Sequence, residues 1–391
     1  MSDAAAPRSP AGEAAMSGLR ERLLGWRDRL VADPRFRDWA ARFPLTRGLA
    51  RRRARVLFDI AAGFVYSQVL AACVRLRLFE TLHRAGPLPA ETLAPRLGLD
   101  REGALTLLRA AESLGLVERR GAAWGLGTLG AAMIGNDGLT AMVEHHAMLY
   151  ADLADPVALL RRGPSGETAL ARYWAYARAE RPDALGAGDV GDYTALMAAS
   201  QSFIAAEVLD AVPELARCRC LMDLGGGDGS FLRAAAARHP ALRLVLFDLP
   251  PVAARAERRF AAAELAGRSR AVGGSFLDPA TVPRGDADIV SLVRVVHDHD
   301  DAAAMAILRA ARAALPPGGT LLLAEPMAGT PGGEPAGGAY FGFYLLAMGS
   351  GRPRTVAELH AMLAEAGFGS VHERATRTPL LVRVLLASAR G

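Results

Sequence analysis

RCLMDLGGGDGSFLRAAAARHPALRLVLFDL, residues 219–249, reads as a strand, a glycine turn, a helix and a second strand. The same alternation continues to the end of the chain. PVAARAERRFAAAEL is a helix, RAVGGSF a short strand, DADIVSLVRVV a strand and AAAMAILRAARAAL a helix. GTLLLAEPM is a strand and VAELHAMLAEAGF a helix, with further strands expected near 370–374 and 380–387. Strand and helix in alternation predict an α/β, doubly wound, mainly parallel Rossmann-like sheet over residues 216–391.

The chain before this sheet reads differently. Residues 136–215 are helical throughout, with a loop at Arg162–Glu167 and a hinge-like GAGDVGD at 186–192. We expect them to link the domains and line the substrate site. Residues 56–135 carry helical spacing from Val56 to Leu82, then a helix from Ala90 to Leu97 and a turn at Gly98. A second helix runs from Asp100, placed to cap it, to Leu114, and two short strands flank Gly121. That is a winged-helix pattern. Residues 1–55 form an Arg-rich extension, and the Ala/Pro/Ser-rich first 20 residues are expected to fray.

A winged helix raises the question of DNA. Gly86–Thr128 holds five Arg and five acids, and the would-be recognition helix begins Asp100-Arg101-Glu102. A groove-reading helix needs a positive surplus to displace counterions. This one has none, so we expect it to serve dimerisation and not nucleic acid.

Composition removes other classes. All 46 basic residues are Arg, so a Schiff-base lysine and a Walker-type phosphate loop are both excluded. Cys73, Cys218 and Cys220 are read as buried thiols in a reducing compartment. The longest apolar candidate, VLFDIAAGFVYSQVLAACVRLRLF, is broken by Asp59, Arg75 and Arg77, and no run is expected to span a membrane. With no apolar signal core, the expected location is the cytoplasm. Residues 1–56 nevertheless carry 13 Arg against six acids, together with Trp26, Phe36, Trp39 and Phe43. Such a segment suits the anionic inner face of a membrane, or equally an arm packed on its own protein.

In LMDLGGGDGSF, Gly225, Gly227 and Gly229 allow the backbone a tight turn and a close approach to a ligand. The following strand ends in Asp248, placed to accept hydrogen bonds from two ribose hydroxyls. A nicotinamide dinucleotide would use the same acid, yet the third glycine of its fingerprint is Ser230 here, and no hydride-transfer residues are evident.

LMDLGGGDGSF, LFDLP, GGSF, RVVHDHDD, LLLAEP and GRPRT occur in this order. With them the chain resembles S-adenosylmethionine-dependent O-methyltransferases of the hydroxyindole and plant-phenol type, over about residues 56–391. PRFRDWAARFPLTRGLARRRARVLFDIAAGFVYSQVL is similar to the carotenoid branch of that family. The resemblance implies a homodimer joined through the winged-helix domain, S-adenosyl-L-methionine as cofactor and a lipophilic acceptor. It places Gly225 and Gly227 at the methionine part of the cofactor, Asp248 at its ribose and Arg294 in cofactor contact. Gly273-Gly274-Ser275-Phe276 aligns with a Gly-Asp-Phe-Phe whose Asp touches adenine; that Asp is read here as Gly274, so a backbone contact at Gly274 and Ser275 must substitute.

A sulfonium methyl is already electrophilic, whereas a hydroxyl is a poor nucleophile until its proton leaves. The chemistry therefore needs a base of near-neutral pKa. His297, in SLVRVVHDHDD, ends a strand of the same sheet as the glycine loop, where open α/β sheets bind ligands. The resemblance makes it the catalytic base and Glu325 one of two flanking acids. The second acid is replaced by Pro353 in Gly351-Arg352-Pro353-Arg354-Thr355, which leaves Glu325 alone. His299 is expected at the surface, and a metal site built from adjacent loop residues has poor geometry. The uncharged GGAYFGFYLLAMGSG, with Tyr340, Phe341, Phe343, Tyr344 and Met348, is the expected acceptor wall, joined by Met142, His145, His146 and Met148. Methyl transfer to a hydroxylated carotenoid is the leading expectation. The alternatives are a phenolic or polyketide acceptor, and a winged-helix regulator with an inactive methyltransferase domain.

Overall fold

Val290 and Leu292 face one side of a central sheet, and Ile289 and Val293 face the other. That alternation of side chains from a wholly apolar strand is what a sheet covered on both faces requires. The computed structural model describes residues 10–163, 167–174, 201, 203–285 and 287–390. Its sheet has seven strands: β3 (Cys220–Leu224), β4 (Arg243–Asp248), β5 (Ser269–Gly273), β6 (Ile289–Val293), β7 (Thr320–Glu325), β8 (Phe368–Arg374) and β9 (Arg383–Ala389). Their order is β5-β4-β3-β6-β7-β9-β8. The first five run parallel, and β9 pairs antiparallel with both β7 and β8.

From β3 the chain winds one way to β4 and β5, and from β6 the other way to β7. The crevice between the ends of β3 and β6 is therefore the topological switch point, where such sheets bind ligands. Helices Asp301–Ala314 and Val356–Glu365 cover one face, and Ser230–Arg238, Pro250–Ala262 and residues 203–211 cover the other. Phe247, Phe231, Phe260 and Phe368 are fully buried between the layers.

The N-terminal part is helical with one small hairpin, β1 (Val117–Arg120) and β2 (Ala123–Leu126). Asp100 caps helix Arg101–Ser113 by accepting from the Gly103 N–H at 2.7 Å. Trp124 of β2 is buried in the core between this helix and Leu78–Ala85. The helical spacing around Val56–Leu82 is split in two, because Arg77 takes a left-handed φ of 55° between Arg47–Arg75 and Leu78–Ala85. The expected fraying also stops short: a helix spans Pro10–Ala32. Within the helical linker, the expected hinge at 186–192 and the 164–166 part of the loop lie outside the described residues.

One expectation is corrected. Helix Arg47–Arg75 is long and apolar enough to cross a membrane by length and composition, with a mean hydropathy of 1.7 in its most apolar window. Arg75 and Arg77 stand at and beyond its end, so between Val56 and Val74 only Asp59 is charged. Just 11% of that window is buried, and Leu57, Phe58, Ile60 and Phe64 are exposed.

Candidate active site

β3 delivers a backbone that turns at Gly225 and Gly227, with φ of 71° and 60°. A Cβ on Gly225 would lie 2.8 Å from the Val295 side chain, so the loop packs directly against the segment that leads to His297. Around Gly227 nothing lies within 4 Å of such a position, so its backbone is open to a ligand. The carboxylate of Asp248, at the end of β4, accepts from the Gly227 and Leu249 N–H groups, both at 2.7 Å. Burial raises its pKa to about 6, and the two N–H groups counter that rise. Below the loop, Asp223 is fully buried and accepts from Ser291 Oγ at 2.7 Å, which ties β3 to β6. Burial lifts its pKa to about 7.

At the end of β5 the structure sharpens the reading of Gly274. A Cβ there would lie 2.7 Å from both Phe247 and the Thr281 hydroxyl, so this position takes no side chain at all. Its N–H is already donated to the Asp248 carbonyl at 3.0 Å. The N–H of Ser275 goes to Thr281 Oγ1 at 3.2 Å. Neither amide can serve adenine, which leaves the Gly274 carbonyl and the Ser275 hydroxyl as the groups able to do so.

β6 ends at Val293, one residue short of Arg294, whose left-handed φ of 58° turns the chain. A single turn of 3-10 helix, Val296–Asp298, then holds His297, which is only 6% exposed. Glu325, at the end of neighbouring β7, is 2% exposed. One of its oxygens accepts from the Val295 and Val296 N–H groups at 3.1 and 2.7 Å. The other accepts from His297 Nδ1. Glu325 therefore fixes both the turn and the ring, and it leaves Nε2 as the proton-accepting nitrogen. Asp298 Oδ1 lies 3.1 Å from Nε2. Burial pulls the His297 pKa down, but the carboxylates of Asp298 and Glu325 push harder, and the net shift is upward from 6.5.

The GRPRT segment is not the carrier of a second acid; it is a clamp on the His297 turn. Gly351 has a φ of +85° and lies so close that a Cβ would sit 2.2 Å from the His297 carbonyl oxygen. The Arg352 N–H donates to that oxygen at 3.0 Å. Arg354, 2% exposed, donates to the Val296 and His299 carbonyls at 2.9 and 2.8 Å and pairs with Asp301. The sequence reading missed Arg354, Asp298 and Gly351. Asp298 was visible as the acid next to His297, and Arg354 as part of the GRPRT motif, but nothing local shows which carbonyls Arg354 holds.

His299 is a second correction: it is half-buried, with its ring edge-on to Phe276 at 5.5 Å. Phe341 stands edge-on to His297 at 6.0 Å, and Tyr340 edge-on to Phe341 at 5.0 Å. His146 shares a hydrogen bond with the Tyr340 hydroxyl at 2.9 Å, and His145 with that of Tyr344 at 2.8 Å. Burial lowers the His145 pKa to about 4, so its ring is neutral. Met348 belongs to the buried core instead, with Leu149, Leu159 and Leu345. Among the described residues no three His, Cys, Asp or Glu side chains converge as a metal cage.

A crevice at a switch point, with a carboxylate-oriented histidine beside it, suits a reaction in which an acceptor loses a proton. The comparisons give the family. The O-methyltransferase domain model matches residues 181–369, and the O-methyltransferase dimerisation domain model matches residues 58–134. Demethylspheroidene O-methyltransferase of Rhodobacter capsulatus is 42% identical over 92% of this chain and 88% of its own. Acetylserotonin O-methyltransferase of Mus musculus is 33% identical over 84% and 87%. The crystal structure of human N-acetylserotonin methyltransferase in complex with SAM superposes with a TM-score of 0.69 at 23% identity, covering 87% of this chain and 98% of the other. The chain belongs to the S-adenosylmethionine-dependent O-methyltransferase family, and its dimerisation domain supports a homodimer.

The crevice fits the cofactor. The open backbone at Gly227 and the Asp248 carboxylate would suit its amino-acid and ribose parts, and the Gly274 carbonyl and Ser275 hydroxyl would be available to its base. When bound, S-adenosylmethionine supplies an electrophilic sulfonium methyl. His297 Nε2 is the ring nitrogen that would take the acceptor hydroxyl's proton, and Glu325 and Asp298 flank the imidazolium that would result. Burial of the dyad keeps water from competing for that proton.

Proposed function

We propose that this O-methyltransferase acts on a hydroxyl of a long apolar acceptor, a hydroxylated carotenoid of the demethylspheroidene or hydroxyneurosporene kind. One observation carries this reading: 42% identity over nine-tenths of the chain to two demethylspheroidene O-methyltransferases, from Rhodobacter capsulatus and Cereibacter sphaeroides. The wall beside His297 agrees in character. Residues 335–351 hold no charged side chain, and Phe341 stands against His297 with Tyr340 packed on Phe341. A polyene gains by leaving water for such a surface at roughly 25 cal/mol per Å². Its one polar end then meets His297.

Labelled cofactor incubated with hydroxycarotenoids and with simple phenols tests the reading. Transfer to the carotenoids with a higher kcat/KM than to any phenol is expected. Transfer to phenols alone would move the acceptor to the aromatic class.

A further inference from the structure

Two helices, Pro10–Ala32 and Pro34–Arg42, precede the region matched by the dimerisation domain at 58–134. The exposed Phe58, Ile60, Phe64 and Val65 fall within that match, and a second copy of the chain accounts for them. Residues 10–57 lie outside that match. Leu19, Leu23, Trp26 and Leu30 follow helical spacing along one stripe, and the first three are 58–60% exposed. On the next helix Trp39 stacks on Phe43 with ring centres 4.9 Å apart, and both are exposed. A monomeric soluble protein rarely leaves paired aromatic rings in water.

The chemistry around these rings is basic. A shallow groove of about 530 Å³ is lined by Arg35, Asp38, Trp39, Arg42, Phe43 and Pro44. Residues 1–56 have 13 Arg against six acids. Arginine flanking tryptophan and phenylalanine on such helices combines attraction to phosphate with rings that lodge at the headgroup level. We propose that this arm docks the enzyme on an anionic phospholipid surface, with Arg35 and Arg42 on headgroup phosphates and Trp26, Trp39 and Phe43 in the interface. The proposal rests on the arm itself and holds whichever acceptor is methylated.

Flotation of the full-length protein with vesicles tests it. The expected result is capture by phosphatidylcholine mixed with phosphatidylglycerol, little capture by phosphatidylcholine alone, and loss of capture as salt is raised. Arg35→Gln and Arg42→Gln should each lower partitioning about fivefold, the worth of one basic residue near an anionic surface. Trp39→Ser should lower it too, and a blue shift of tryptophan emission on adding anionic vesicles should shrink in Trp39→Phe. Trp124 and Trp174 are buried and contribute no such shift. Calorimetric binding of S-adenosylhomocysteine, unchanged in every variant, confirms that each is folded. Capture that ignores lipid charge, or that survives all these substitutions, overturns the proposal. So does a variant that falls apart as a dimer while the wild type ignores vesicles, since the arm would then belong to the second copy. Tight binding of random duplex DNA with no vesicle capture would assign the arginines to nucleic acid, with the same consequence.

Discussion

His297 works as a base only when neutral, while Asp298 and Glu325 both favour its charged form. Burial and Arg294 oppose them, and the net shift is upward. With its pKa raised from 6.5, kcat should climb with pH through a value above 6.5. Asp298→Asn removes one of the two raising charges, so this acid limb should move to lower pH. A limb that stays in place would mean that another group titrates. Asp248 makes a separate prediction. Its carboxylate holds the Gly227 N–H, and Asp248→Ala should weaken S-adenosylmethionine binding by about 1–3 kcal/mol by calorimetry. Unchanged affinity would take the cofactor out of the glycine loop.

At the scale of elements, the His297 turn is held from two sides: by Glu325 at the end of β7, and by the segment Gly351–Arg354. Arg354→Met keeps much of the volume but strands the His299 carbonyl and leaves the Val296 carbonyl with only the His299 N–H. Each buried group left unpaired costs about 1–3 kcal/mol, so the melting temperature should fall while cofactor affinity changes little. Gly274→Ala should also destabilise, by about 1–3 kcal/mol, because its new methyl meets Phe247 and Thr281. Here the limits of sequence reading are visible. The strands and helices of residues 219–365 were legible because apolar runs and glycine punctuation act locally. So was the pairing of His297 with Glu325, through two strand ends that carry recognisable motifs. Arg354 was not legible, because its partners lie 53 to 58 residues away and nothing nearby announces them. The end of β6 was missed for a different reason: VRVV looks like strand, but the left-handed Arg294 breaks it. The spanning potential of Arg47–Arg75 was misjudged by counting charges that stand at its end and beyond it.

For the whole molecule, the parts form one sequence of causes. An open parallel sheet makes a crevice between β3 and β6; the glycine loop and Asp248 occupy one side of it, and the dyad occupies the other. The helical region joins the segment beside His297 through the His146–Tyr340 and His145–Tyr344 hydrogen bonds. The bare apolar face of Arg47–Arg75 runs into the dimerisation-domain match, and sedimentation should give the mass of a dimer. Charge at Phe64 in a Phe64→Asp variant should shift that mass toward the monomer.

The central claim is that His297 removes the acceptor's proton beside the cofactor. Labelled methyl transfer to a saturating hydroxycarotenoid, compared between the wild type and His297→Ala, tests it most directly. Turnover in the variant should fall by roughly 10²–10⁴, the contribution of a positioned general base, while S-adenosylhomocysteine binds as before. Wild-type turnover in that variant would contradict the account, leaving proximity alone to drive the transfer.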